Sequence, residues 1–199
     1  CFWSAFLSEQ NLRVDFSLEQ LFPESDPEKD VFDTIIREFH REDDKIILVY
    51  ECDNPTSREN IAAVTEITEI IELDIEGVEE VVSLSNIGGG EHFADDLNDS
   101  EWQARVQELL DHPIYPNLII SNDGTTGALL VDLADHVIGQ SARSIVVKQL
   151  LDVLQSTKWE WHAAGIPVLR TRYVEFMNRE RALFMPISFL VALIVLFWI

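Results

Sequence analysis

The sequence predicts an α+β domain, a split βαβ sandwich with helices over one face of a mixed sheet, joined at both ends to membrane helices. Three observations carry this. The stretch Ala182 to Ile199, ALFMPISFLVALIVLFWI, contains no charged residue. As a helix it spans about 27 Å, close to the roughly 30 Å hydrocarbon core of a bilayer. At the other end, Cys1 to Leu7, CFWSAFL, is apolar and aromatic and gives way at once to Ser8, Glu9, Gln10 and Asn11. Between these flanks, short β-branched runs alternate with segments of helical apolar spacing, separated by capping and turn residues.

The C-terminal run reads as the start of a spanning helix that is cut short, since buried helices of soluble domains usually keep a polar stripe. Pro186 fits, because proline is tolerated near helix starts and inside membrane helices. Trp3 and Phe6 suit the aromatic belt where a spanning helix leaves the lipid. A secretory signal is excluded at the start: there is no basic leader and no apolar run of about 7 to 15 residues. A lipidated Cys1 leaves the C-terminal run unexplained. The chain thus divides into residues 1–7, the end of a first span; 8–44, a connecting segment with one helix; 45–170, the α+β domain; 171–181, a juxtamembrane helix; and 182–199, the start of a second span. The domain hangs on one side of the bilayer.

In the connecting segment, Leu12 to Phe22 is irregular. Ser25, Pro27 and Glu28 open a helix whose apolar positions are Phe32, Ile35, Ile36 and Phe39. Lys45 to Cys52, KIILVYEC, reads as a buried strand, and Asp53-Asn54-Pro55 turns the chain. Thr56 and Glu59 form a capping box for a helix that buries Ile61, Val64, Ile67 and Ile71 and exposes Glu66, Glu69 and Glu72, ending near Gly77. Val78 to Leu84 is a second strand, and the crossover makes the two strands run parallel. Gly88 to Gly90 open an irregular linker or hinge. Ser100 and Gln103 cap a helix carrying Trp102, Val106, Leu109 and Leu110, which stops at Pro113.

Leu118 to Ser121 and Gly127 to Leu133 flank Asn122-Asp123-Gly124-Thr125, a hairpin signature. Ser141 opens a helix with Val147, Leu150, Leu151 and Leu154 inward. Trp159 to Ala163 alternates like a strand. Gly165-Ile166-Pro167 starts a last helix that runs through Arg172, Glu175, Arg179 and Arg181 into the membrane. This order of elements is that of the ferredoxin-like split βαβ fold. Its uncovered sheet face is left for a neighbouring domain or subunit.

Composition narrows the partners. The formal charge of −22 argues against nucleic acid and anionic lipid surfaces as partners, since phosphate binding needs lysine and arginine. Between Ser57 and Glu101, Arg58 alone faces thirteen acids, which reads as a strongly solvated surface. Only Cys1 and Cys52 are cysteines, so no disulfide framework follows.

Chemistry is sparse. The histidines at 40, 92, 112, 136 and 162 show no metal-ligand spacing. In the acidic stretch 91–101, counting from Asp96 puts Glu101 at the glycine position and Gln107 at the final carboxylate position of a calcium loop, so that motif fails. The glycine run is surrounded by acids and cannot cradle phosphate. No G-x-S-x-G, HExxH or Walker sequence occurs, so no catalytic residue, metal or cofactor is nominated.

Five segments in order, LRVDFSLEQLFPESDPEKDVFDTIIREF, KIILVYECDNPTSRENI, GVEEVVSLSNI, LIISNDGTTGALLVDL and GIPVLRTRYVEFMNRERALFMPISFLVALIVLFWI, resemble the first extracytoplasmic loop of RND superfamily exporters, nearest the MMPL-type, hydrophobe-exporting branch. The resemblance implies a multi-pass inner-membrane permease with this loop in the periplasm, paired with a second porter loop of the same chain. It implies expulsion of hydrophobic or amphiphilic molecules driven by protons, with no cofactor, and allows an oligomer or a periplasmic partner. Proton-relay residues of that family belong to later helices. Arg179, Glu180 and Arg181 fall where the helix enters the lipid, either linking loop to membrane or anchoring at the interface. The alternative from a different class is a non-transporting membrane sensor or scaffold whose periplasmic domain binds a ligand or protein.

Overall fold

The computed structural model describes residues 44–87, 93, 97–134, 136, 137 and 139–198, with helical positions at 28, 31, 34 and 35. The flank 1–7 and most of the connecting segment lie outside the described residues. From residue 44 onward the elements are β1 (Lys45–Glu51), α1 (Arg58–Asp74), β2 (Val78–Val82), α2 (Asp99–Asp111), β3 (Thr126–Leu133), α3 (Gln140–Gln155), β4 (Trp161–Ala164) and α4 (Ile166–Trp198). The sheet order is β2-β3-β1-β4, and every pairing is antiparallel. The fold is α+β, with the strand order of a ferredoxin-like split βαβ unit into which α2 is inserted. The sheet is not mixed, as the sequence had suggested. β1 and β2 do run in the same direction, as the crossover requires, but β3 lies between them and pairs with both.

Alternation along the strands sorts the two faces. Ile46, Leu48 and Tyr50 of β1 and Leu129, Val131 and Leu133 of β3 are buried in one core. Into it α1 sends Val64, Ile67 and Ile71, α3 sends Val146, Val147, Leu150 and Leu154, and α4 sends Val168. Full burial of each such side chain contributes about 1.5–3 kcal/mol. The opposite sheet face carries Lys45, whose Nζ lies 2.6 Å from Asp132, together with Ile47, Glu51 and His162, all exposed. A second cluster, Leu84, Ile87, Leu109, Ile119 and Ile120, holds the inserted segment together. Gly127 is required beside Tyr50, because a Cβ there would meet the phenol ring.

Element ends differ from expectation by one or a few residues. The cap of α1 is Ser57, which accepts from the Asn60 amide at 3.3 Å, while Thr56 donates to Asn54 instead. The cap of α2 is Asn98, whose side chain accepts from Ser100 and Glu101 amides while the Glu101 carboxylate accepts from the Asn98 amide. The α3 helix begins at Gln140 after Gly139, at φ 86°, with no side-chain cap, so Ser141 lies inside it. The expected first arm of the hairpin shrinks to a single bridge between Ile120 and Gly127. β2 stops at Val82 because Ser83 to Ile87 turn, with the Ser83 amide donating to Asn86 Oδ1 at 2.8 Å. Trp159 precedes β4 rather than beginning it.

The last element is one helix of 33 residues, with Pro186 inside it. Gly165, at φ 128°, lets the chain pass so close to Lys45 that a Cβ would lie 2.5 Å from the Lys45 carbonyl oxygen. Pro167, Val168 and Thr171 are buried against the domain, and from Arg181 to Trp198 every residue is exposed. This helix is long and apolar enough to cross a membrane.

Candidate functional site at the loop end of the sheet

β1, α1, β3, α3 and β4 bring three loops together at one end of the sheet. The Cys52 amide donates to the Thr125 carbonyl at 2.8 Å, and the Glu51 amide to the Glu160 carbonyl at 3.4 Å. Between these loops lies a cleft of about 590 Å³ lined by Glu51, Cys52, Asp53, Thr125, Lys158 and Trp159. A second cleft of about 520 Å³, on the other side of Lys158 and Trp159, runs along α1 past Glu59, Ala63 and Ile67.

Aromatic stacking fixes the wall between the clefts. The ring of Tyr50 lies 4.7 Å from Trp159 and 5.0 Å from Trp161, and the Trp161 indole N–H donates to Thr157 Oγ1 at 2.6 Å. Burial, followed by the nearby Cys52, pushes the Tyr50 hydroxyl far above the usual phenol range, so it stays neutral. Lys158 donates to Glu59 at 3.0 Å and lies 5.2 Å from the centre of the Trp159 ring. Lys158 is thus paired with α1 while half of it stays exposed, and the cleft also presents the carboxylates of Glu51 and Asp53.

The hairpin tip is ordered from within. Asp123 accepts from the hydroxyls of Ser121 and Thr125 and from the Thr125 amide, and these bonds hold its carboxyl below the ordinary range. Gly124, at φ 66°, closes the turn, its amide donating to Ser121 at 3.0 Å. The inserted α2 is tied to the same end. Its Trp102 indole donates to the Thr56 carbonyl at 3.1 Å, and Arg58 lies 4.5 Å over the Trp102 ring.

Arg179, Glu180 and Arg181 all lie on α4. Arg179 and Arg181 are exposed, and among the described residues none of the three forms an ion pair within 4.0 Å. The structure does not bring them to the cleft. In the acidic stretch, Asn98 and Glu101 act as helix caps. Among the described residues no three His, Cys, Asp or Glu side chains converge as a metal site.

Sequence reasoning passed over the ion pair between Arg143 and Asp44, 2.7 Å apart and both nearly sealed from solvent. The signal was present: Arg143 occupies the inward stripe that continues through Val147, Leu150 and Leu154. It also passed over Lys158 and Trp159 as a site, because their meeting with Cys52 and Thr125 depends on strand order. Neither protein-family models nor curated proteins give a match to this chain.

Proposed function

We propose that this chain is the extracytoplasmic porter domain of an RND-type exporter, a secondary active membrane transporter that expels hydrophobic or amphiphilic molecules at the expense of the proton gradient. The observation that supports it best is α4, one helix that begins buried against the ferredoxin-like core and continues without a loop into an uncharged, fully exposed stretch. A force arising among membrane helices reaches the sheet through such a helix with no flexible linker to absorb it. The five-segment resemblance supports the same reading.

In this reading the protein is a multi-pass protein of the inner membrane, with the domain in the periplasm and its open sheet face toward the second porter loop of the same chain. Arg179 and Arg181 sit at the lipid boundary, where long cationic stems extend toward phosphates. Efflux of a fluorescent amphiphile, measured in cells with and without the full-length protein, tests it. Protein-dependent efflux that collapses with a protonophore is expected. Efflux indifferent to both overturns the proposal in favour of a membrane-bound sensor or scaffold.

A further inference from the structure

The packing of α4 on α3 fixes which end of the domain meets the membrane. Ser144 Oγ lies 3.1 Å from Thr171 Oγ1, and Lys148 Nζ lies 2.9 Å from Glu175 Oε1. The two contacts are separated by one helical turn in the same sense on each helix, so α3 and α4 run parallel at a constant offset. Both rise about 1.5 Å per residue. The same offset sets Asp152 level with Arg179, and Gln155, where α3 ends, level with Ala182, where the uncharged run begins. The loops after β1, before β3 and after α3 share that level, since backbone hydrogen bonds join them.

We infer that the loop end of the sheet rests against the headgroup layer of the bilayer that α4 crosses, so that the cleft beside Lys158 and Trp159 opens onto lipid. Trp159 and Trp161 occupy the depth at which tryptophan is enriched in membrane proteins. Glu51 and Asp53 line the cleft with Lys158, and Asp123 and Glu160 lie on the loops that meet there, so the cleft mouth holds carboxylates in excess and its occupant is a zwitterionic rather than an anionic headgroup. The far end, where α1 passes into β2 at Glu76, points away from the membrane. The inference rests on α4 spanning the bilayer and does not require transport.

The test uses the full chain with Cys1→Ser and Cys52→Ser, carrying a single donor dye at Asn122→Cys on the loop end or at Glu76→Cys on the far end. Both positions are exposed. The protein is reconstituted in phosphatidylcholine vesicles with acceptor dye on the outer headgroups. The length of β1 alone separates the two ends by about 20 Å, within the range over which energy transfer changes steeply. Loss of donor emission at 122 well beyond that at 76 is expected; equal loss, or greater loss at 76, overturns the inference. A third label at Leu190→Cys separates the failures. If aqueous quencher reaches it, α4 is not inserted and the membrane reading falls as well; if it is shielded while 76 lies nearer the lipid, only the orientation falls.

Discussion

Among the described residues, Asp44 and Arg143 form the most deeply buried ion pair. Arg143 is 2% exposed, and removing its carboxylate partner leaves a cation where water cannot solvate it. Asp44→Ala is expected to destabilise the fold by about 3–5 kcal/mol, read from denaturant unfolding. Tyr50 presents the opposite case. Its hydroxyl is buried with no hydrogen-bond partner among the described residues, so Tyr50→Phe removes a desolvation cost of about 1–3 kcal/mol and leaves stability unchanged or raised. Gly127→Ala, by contrast, drives a methyl group into that ring and costs about 1–3 kcal/mol. Thermal melts therefore separate the two variants: Gly127→Ala melts below the parent chain and Tyr50→Phe does not. At the hairpin tip, the carboxyl of Asp123 titrates lower in the folded chain than in the unfolded one. Its contribution is complete above the ordinary carboxylate range and disappears as pH falls through the lowered folded value. An NMR titration of the Thr125 amide follows that loss, and Asp123→Ala abolishes it.

At the scale of elements, α4 combines two environments in one helix. Leu190→Arg places a charge in the middle of its uncharged half and is expected to cost about 2.5–3.5 kcal/mol of membrane insertion, measured as the inserted fraction in a translocation assay. The apolar stripes were legible in sequence: Ile61, Val64, Ile67 and Ile71 are all buried, and Glu66, Glu69 and Glu72 are all exposed. Helix starts were legible only to within a residue or two. Ser, Thr, Asn and Asp side chains are comparable caps, and where two or three lie in a row, as in Thr56-Ser57 or Asn98-Asp99-Ser100, local sequence does not choose among them. Strand neighbours were legible only through the ferredoxin-like order of elements, which places β3 between β1 and β2, and not from the residues of the strands themselves. Alternation tells which face a residue takes, but the wedging of β3 between β1 and β2 depends on long-range pairing. The cleft could not be seen for the same reason, since Cys52, Thr125 and Trp159 are brought together only by strand order.

The whole molecule divides by solvent. Its folded body is acidic throughout, and its long helix ends in residues without charge. A chain trimmed to residues 8–181 is expected to run as a single species in detergent-free buffer, whereas the full chain needs detergent, as size-exclusion chromatography will register. Pro186 then acquires a meaning beyond tolerance. Proline has no amide hydrogen, so the carbonyl of Ala182 lacks its helical donor, and bending concentrates where a rung of the ladder is missing. With the uncharged run across a bilayer, as proposed, that joint falls near the water boundary, where a solvent molecule can serve the abandoned oxygen. On the proposed reading the domain tilts about that one ankle as a unit, because the helix above it is packed on the core through Pro167, Val168 and Thr171 and carries the tilt to the sheet.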